Sequence, residues 1–591
     1  MRRRSRRTLL FGGSVPGIFR DGAIVLALAA LSLVRWGNAA EQIGMYLPLI
    51  RSLAGTWPAP PDAHIALLER MPLWWCRVFA FFEARHALFP ALLAGVFLGR
   101  VALAASGFAL GAAIGGRLPG RVAASAIFVL ADPTLLMPAH FYFMEAEPLP
   151  SSFALSLVLV ALALAARGRS LAAGALLGVA ANVHPVQTAV STPVVLAALL
   201  VARGSVARAV ALEALLAAPS AIFVLARATG DQGFPRTEAY ELIHTVVGGH
   251  IFFSGFDKEA WSGFLLLAAL ALATLPLDSR RRRLHALGAA SAVGLLLATL
   301  GLALADARIL PLVGLKLCFA RAALVTKGVS LALLAARVAR APGARAVTLA
   351  GLLEAPALVA AGLVALAPRL RRDVLYVVLL LALAGGALDP RLAAVLNGAP
   401  SPHAAAIVRG VLVAAALLLP RSLHEGAKRP LWRPLVALVL VVFFHHATVS
   451  PVVGYTYGRL TTRASEDPEL LRLGEFLATK TPPGARLLAP PEERVLDYLA
   501  GRPVVASATY ATLAPWDLRA GKEELGRLSL LGYHFGALNN AVAYQDWSGE
   551  KIFATARALG ATHVILDRRL TARDIPGPVH ETAQYRVYEV R

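Results

Sequence analysis

The sequence predicts a mainly α protein, a polytopic transmembrane helical bundle of about 13 spans that carries a soluble α/β domain at its C-terminal end. Three observations predict it. The 591 residues are 57% hydrophobic and only 16% charged, with a mean hydropathy of +0.63, whereas soluble domains are nearer about 25% charged. Apolar runs long enough to be helical spans recur from Ala23 to roughly Ala447, and only helices satisfy their own backbone in hydrocarbon. From about Tyr455 the texture changes to helices alternating with short apolar strands, which is an α/β pattern.

The bundle is read as residues 22–450, after a basic cytoplasmic N-terminus at 1–21 and before the α/β domain at 455–591. Spans fall near 22–35, 86–112, 121–136, 149–166, 170–183, 186–202, 209–227, 261–276, 284–304, 309–336, 346–367, 374–388, 404–420 and 431–449. Loops 117–121, 167–169, 203–208, 278–283 and 337–345 are rich in arginine, and alternate with loops 37–85, 138–148, 183–186, 229–260 and 306–311, which carry other polar residues. That alternation is the positive-inside pattern, so the arginine loops are expected in the cytoplasm and the others outside. Parity breaks later, because Arg369–Arg372 and Arg421–Arg433 cannot both be inside if every segment spans. The weakest candidate, 374–388, is short and ends in Gly-Gly; read as re-entrant, it leaves the C-terminal domain outside. The expected location is thus the inner membrane of a bacterium, multi-pass, with a periplasmic C-terminal domain.

The formal charge of +22 would suggest nucleic acid in a soluble protein. Here the arginines sit in short loops beside anionic lipid, and no nucleic-acid partner is expected. Cys76 and Cys318 are too few for a disulfide framework and match no metal-thiolate spacing. Ser5-Arg6-Arg7-Thr8-Leu9-Leu10 resembles a twin-arginine signal, yet Arg20-Asp21 interrupts the apolar run and no small-residue cleavage site follows. An uncleaved first span is the preferred reading.

In the C-terminal domain, Asp467–Lys480 reads as an amphipathic helix, followed by the turn Thr481-Pro482-Pro483-Gly484. Leu487–Ala489, Val504-Val505, Val564–Leu566 and Tyr585–Val590 read as strands of a largely parallel sheet, with a helix at Gly549–Leu559. No Gly-rich phosphate loop is present in the sequence, which argues against a nucleotide site.

Candidate site residues lie in the outer loops. Glu41 stands in the polar first loop, and Asp132, His140, Glu145 and Glu147 in the second. Carboxylates so close to apolar runs are costly unless paired or wetted, and two of them could act as general base and as orienting group or metal ligand. The plainer alternative is helix capping. Asn182–Gln187 breaks an apolar stretch at a proline, and His184 in that break suits a phosphate oxygen or a proton relay. His244 and His250 are six apart, not a recognised metal spacing, but suited to phosphate. Lys316 and Arg321 lie within an apolar run, where snorkelling competes with bidentate phosphate binding. Met71–Phe82 has the composition of an interfacial amphipathic helix.

These residues resemble the GT-C-type polytopic membrane glycosyltransferases, especially bacterial GT-C-like proteins with a soluble C-terminal domain. The resemblance lies in the acidic loop Asn38–Tyr46, Glu145-Ala146-Glu147-Pro148, Ala173-Gly174…Gly178…Asn182-Val183-His184-Pro185, Lys316…Arg321 and Thr481–Ala485. It implies sugar transfer from a polyprenyl-phosphate-linked donor to a glycan or protein acceptor of the envelope on the non-cytoplasmic face, usually with inversion. It also implies Glu41 as the acid, Glu145 as a secondary acid, and His184 and Arg321 as phosphate contacts, with a divalent cation as a candidate cofactor. Many relatives carry Asp in the first loop where this chain has Glu41 followed by Gln42. A transporter or flippase for a lipid-linked or amphiphilic substrate is the rival class, although no internal repeat is evident; a non-catalytic envelope scaffold is the third.

Overall fold

The computed structural model describes residues 15–36, 43–58, 63–69, 74–115, 117–130, 150–227, 233–255, 258–273, 275, 281–338, 467–493, 495–535, 543–570, 575 and 577–590. Predicted spans beyond 338 lie outside the described residues, and so does the region of the re-entrant segment.

The described chain is mostly helical. Among the described residues, three segments are long and apolar enough to cross a membrane, Leu88–Ala113, Arg282–Asp306 and, with an interruption at Cys318, Leu312–Ala336, and shorter apolar helices include Pro150–Ala165, Ser170–Val183 and Pro185–Val201. Leucine, alanine and valine favour helix or tolerate it, and without polar side chains every backbone group must bond within its own segment. Helix Leu88–Ala113 packs against both Leu118–Leu130 and Pro150–Ala165, and Pro150–Ala165 against Ser170–Val183, in a core that includes Leu103, Phe108, Phe128, Leu159 and Leu177. Close approach depends on small residues. Gly174 and Gly178 form a stripe facing helix Val206–Arg227, where a Cβ on Gly174 would stand 2.8 Å from the Ala209 Cα. One turn further, Asn182 Nδ2 donates to Leu216 O at 2.7 Å and Asn182 Oδ1 accepts from Ser220 Oγ at 3.0 Å. Part of the motif that carries the family resemblance is therefore helix–helix packing.

The run expected as one span over 309–336 is broken. Helix Leu312–Leu317 ends at Cys318, whose φ of 51° and ψ of 67° are left-handed; a 3-10 turn, Phe319–Arg321, precedes helix Ala322–Val338. The apolar count concealed the break, because Lys316 and Arg321 flank it, and charged side chains in hydrocarbon are accommodated where backbone unwinds beside a polar cavity. Gly301 makes room for the turn, since a Cβ there would collide with the Phe319 side chain.

The C-terminal segment forms a four-stranded sheet, β1 Leu487–Leu488, β2 His563–Asp567, β3 His580–Glu581 and β4 Tyr585–Glu589, in the order β1-β2-β4-β3. Only β1·β2 is parallel; β2·β4 and β3·β4 are antiparallel. The largely parallel expectation was wrong because parallel neighbours need a crossover, usually a helix. Among the described residues none intervenes between β2 and β4, and β3 turns directly into β4. Val504 adds only a parallel bridge to Leu487. The amphipathic helix spans Pro468–Lys480, with the Asp467 side chain accepting from Glu469 N at 2.9 Å as its cap.

This α/β unit shares its cores with helices of the first loop and of the 236–251 and 312–321 segments. Leu47, Ile50, Ile65 and Leu68 from helices Leu47–Ala54 and Ala63–Glu69 pack with Leu473, Leu477, Leu487 and Val587. Tyr240, Ile243 and Leu315 pack with Leu488, Tyr533 and Leu566. The first loop, the 236–251 helix and the broken 312–321 segment thus lie at the same end of the molecule, roofed by the sheet.

Candidate active site

His184 occupies the joint between helices Ser170–Val183 and Pro185–Val201. The following proline disfavours helical backbone at this position, and His184 is extended, with φ −150° and ψ 95°. Its Nδ1 accepts from the Gln187 backbone N–H at 3.0 Å, capping the second helix. An Nδ1 that accepts assigns the proton of the neutral ring to Nε2, leaving a donor on the other side of the imidazole. Desolvation, then the charge of Arg321, lowers the pKa of this joint histidine to about 3, so the ring is a neutral Nε2–H donor.

Gln187 ties the joint to the broken segment. Its Nε2 donates to Ser191 Oγ at 3.1 Å and reaches the Arg321 carbonyl at 3.5 Å. At the break, Cys318 Sγ donates to the His250 carbonyl at 3.1 Å, and Arg321 N bonds Cys318 O at 3.0 Å. Two interrupted helices and the end of helix Arg236–Ile251 therefore converge, bringing His184, Arg321 and His250 into one region. Lys316 is half-buried one turn before the break. His244 sits apart at the surface, its Nε2 3.4 Å from Ser254 Oγ, which in turn donates to Asp306 at 2.9 Å.

The remaining candidates, Glu41, His140 and Glu145, lie outside the described residues, as do Asp132 and Glu147. Among the described residues no three His, Cys, Asp or Glu side chains gather as a metal site.

Sequence reasoning gave no role to Gln187, although it named the break that contains it. It also missed the polar cluster that docks the first loop on the roof. Arg51 Nη1 donates to Tyr498 O at 2.6 Å, its Nε lies 3.6 Å from Glu83 Oε1, and its guanidinium stands over the Tyr498 ring at 5.2 Å. Nearby, buried His64 bonds Glu524 at 3.1 Å and stacks on Tyr510 with centroids 3.9 Å apart. Glu524 also accepts from Arg527 at 2.9 Å and from the Ser507 N–H. Buried Arg100 and Lys327, at 2% and 3% exposure, were overlooked too; a charge inside an apolar run was the available signal.

No family model matches the chain, and no curated protein matches it. Among solved structures it is similar to ArnT from Cupriavidus metallidurans bound to undecaprenyl phosphate. The identity is 15%, over 97% of this chain and 98% of that chain, with a TM-score of 0.44. It is similar also to the same protein in the apo state, at 14% identity over 96% of this chain and 97% of that one, with a TM-score of 0.40.

Proposed function

We propose that this chain is an integral membrane GT-C-like glycosyltransferase that moves a sugar from a polyprenyl-phosphate-linked donor to an envelope acceptor on the non-cytoplasmic face. The observation that carries the reading is the pairing of two broken helices, one holding His184 with its Nδ1 engaged by Gln187 N–H, the other tied to it where Gln187 Nε2 reaches the Arg321 carbonyl. The Arg321 charge thus acts on the His184 ring. Breaks of this kind are tolerated where they line a polar cavity, and a guanidinium beside a neutral imidazole donor is matched to a phosphate.

In the proposed step the bond between the sugar's anomeric carbon and the lipid phosphate oxygen breaks, and the electron pair leaves with the polyprenyl phosphate. Arg321, Lys316 and His184 Nε2–H offset the charge that grows on that phosphate, as preorganised donors do. The acceptor hydroxyl oxygen bonds the anomeric carbon, and its proton passes to the Glu41 carboxylate. Glu145 is assigned a secondary role toward the acceptor, and His140, His244 and His250 are assigned to substrate binding. The α/β unit, proposed as periplasmic, closes this end against bulk water and lends the electrostatics strength. One of the ArnT structures is bound to undecaprenyl phosphate, a carrier of the proposed class; the proposal itself stands on residues of this chain.

The test is transfer from radiolabelled polyprenyl-phosphate sugars in membranes bearing the native chain. Arg321→Gln is expected to lower transfer by about 10²- to 10³-fold, the usual loss for one preorganised donor. Glu41→Gln should abolish it, as removal of a general base costs about 10²- to 10⁴-fold. Equal transfer by native protein and Arg321→Gln overturns the phosphate assignment, and equal transfer by Glu41→Gln removes that carboxylate from the mechanism.

A further inference from the structure

Glu213 is an acid that the proposed reaction leaves unused. It stands inside helix Val206–Arg227, about 10 Å from the first residue at roughly 1.5 Å per residue. The sequence reads this stretch as a span, and exposed Val210, Leu215 and Ile222 give the helix an apolar outer face. On its inner side the helix lies close against Ser170–Val183, where a Cβ on Gly178 would stand 3.0 Å from the Glu213 carbonyl oxygen. The Glu213 side chain is half-buried and reaches across to helix Pro185–Val201, where its Oε1 bonds the Thr192 hydroxyl.

Among the described residues no cation answers this carboxyl. Helices Ser170–Val183 and Pro185–Val201, which pack against its helix, contain no Lys, Arg, His, Asp or Glu. On its own helix Arg208 lies more than a turn before it and Arg227 well beyond it, neither at the three- or four-residue spacing that brings side chains together. His184, at the joint between the two packed helices, is a neutral ring whose Nδ1 is engaged by Gln187 N–H. A carboxyl in hydrocarbon is either paired or gives up its charge.

The hydrogen bonds of Thr192 require the same. Its Oγ lies 3.1 Å from Thr188 O, a carbonyl that can only accept, and also against Glu213 Oε1. A hydroxyl has one hydrogen. If that hydrogen goes to Thr188 O, the usual back-bond of a helical threonine, the bond to Glu213 takes its proton from the carboxyl. Thr188 repeats the pattern one turn on, its hydroxyl donating to His184 O at 3.1 Å. A carboxylate at Glu213 accepts only, and would draw the Thr192 hydrogen away from Thr188 O.

We infer that Glu213 is a proton-binding site within the bundle, its carboxyl held as the neutral acid that donates to Thr192 and fastens helix Val206–Arg227 to helix Pro185–Val201. The ligand is a proton. Its loss reverses the Glu213–Thr192 bond and releases the Thr188 carbonyl, along a ladder of hydroxyls that ends at the His184 joint. The site holds whether or not the chain transfers sugar.

Infrared difference spectra of the purified full chain in nanodiscs, native minus Glu213→Gln, read the proton directly. At neutral pH the native protein is expected to show the carbonyl stretch of a protonated carboxyl, shifted in deuterium oxide, which the variant lacks. Thr192→Val leaves the acid in place and removes its acceptor, so the same band should persist at higher frequency; this reads the site should Glu213→Gln fail to fold. Raising the pH until the band bleaches should lower the Tm of the native protein beyond any fall in Glu213→Gln, whose amide donates at every pH. The inference is overturned if the spectrum shows a carboxylate at neutral pH, if Thr192→Val leaves the band unmoved, or if native protein and Glu213→Gln lose Tm equally.

Discussion

Two hairpin joints of the same bundle, at its opposite ends, solve one problem in different ways. At residues 166–169 the chain reverses on Gly168, whose positive φ costs a glycine nothing, with Arg167 half-buried and Arg169 exposed. At 183–185 it reverses on His184-Pro185, whose ring turns back to cap the next helix and faces a second break at Cys318. The left-handed Cys318 stands where a glycine would be easier, at a cost of about 1–2 kcal/mol. Among the described residues, Arg203 at the open end is left-handed like Cys318, so the ends differ less in backbone strain than in what accompanies it. At Cys318 the strained turn lies beside a helix break that carries partly buried polar contacts. Such strain persists where surrounding structure enforces it, which is why the roof matters.

The largest expected stability contrast tests that roof. Ile50 is fully buried between the first loop and the α/β unit, so Ile50→Ala should cost about 2–5 kcal/mol. Leu200, near the open end, is 65% exposed, and Leu200→Ala should change stability by less than about 0.5 kcal/mol. Thermal melting of the purified protein decides it. Equal shifts would mean that the two ends are not differently supported.

A smaller effect sharpens the same contrast within the roof. His64 is buried against Glu524 and Tyr510, and His64→Ala leaves that carboxylate with Arg527 and the Ser507 N–H. The expected loss is about 1–3 kcal/mol. The Lys522–Glu238 pair also joins the α/β unit to the bundle but is solvent-exposed, so Lys522→Ala should cost under about 1 kcal/mol. Limited proteolysis of the first loop should accelerate in His64→Ala and not in Lys522→Ala. Reversal of that order would place the main fastening on the rim.

The difference between the ends also explains what the sequence made legible. Helices such as Ser170–Val183 are written in unbroken apolar composition, and their observed ends fall within a few residues of the expected ones. The His184 break was legible because proline constrains its predecessor. The Cys318 break was not: cysteine carries no backbone signal, and Leu310–Ala323 reads as a continuous run. Contacts such as His64–Glu524, 460 residues apart, leave no local pattern at all. β1, β2 and β4 were legible from β-branched and apolar runs, whereas His580–Glu581 was not read as a strand and Val504-Val505, read as one, forms only a bridge. Strand direction depended on the absence of a crossover between β2 and β4 among the described residues. Arg321 was singled out by the cost of its charge; its partner Gln187 was passed over because a neutral amide incurs no such visible cost.

The smallest effect concerns protonation at the roofed joint. A histidine with a folded pKa near 3, against an ordinary 6.5, contributes stability that is fully present above about pH 6.5 and is lost as pH falls toward 3. Protonation would also turn Nδ1 from acceptor to donor and break its bond from Gln187 N–H. Between about pH 5.5 and 8 the ring therefore stays neutral, and transfer should show no inflection that belongs to it. His184→Asn, which keeps a side-chain acceptor for the helix cap, should give a pH–transfer profile of the same shape at lower amplitude. Its melting temperature should fall less than the native protein's as pH drops from about 6.5 to 4.5. An inflection near 6.5 in the native protein that vanishes in His184→Asn would show a ring titrating in the working range, and the neutral Nε2–H donor would have to be replaced by an imidazolium.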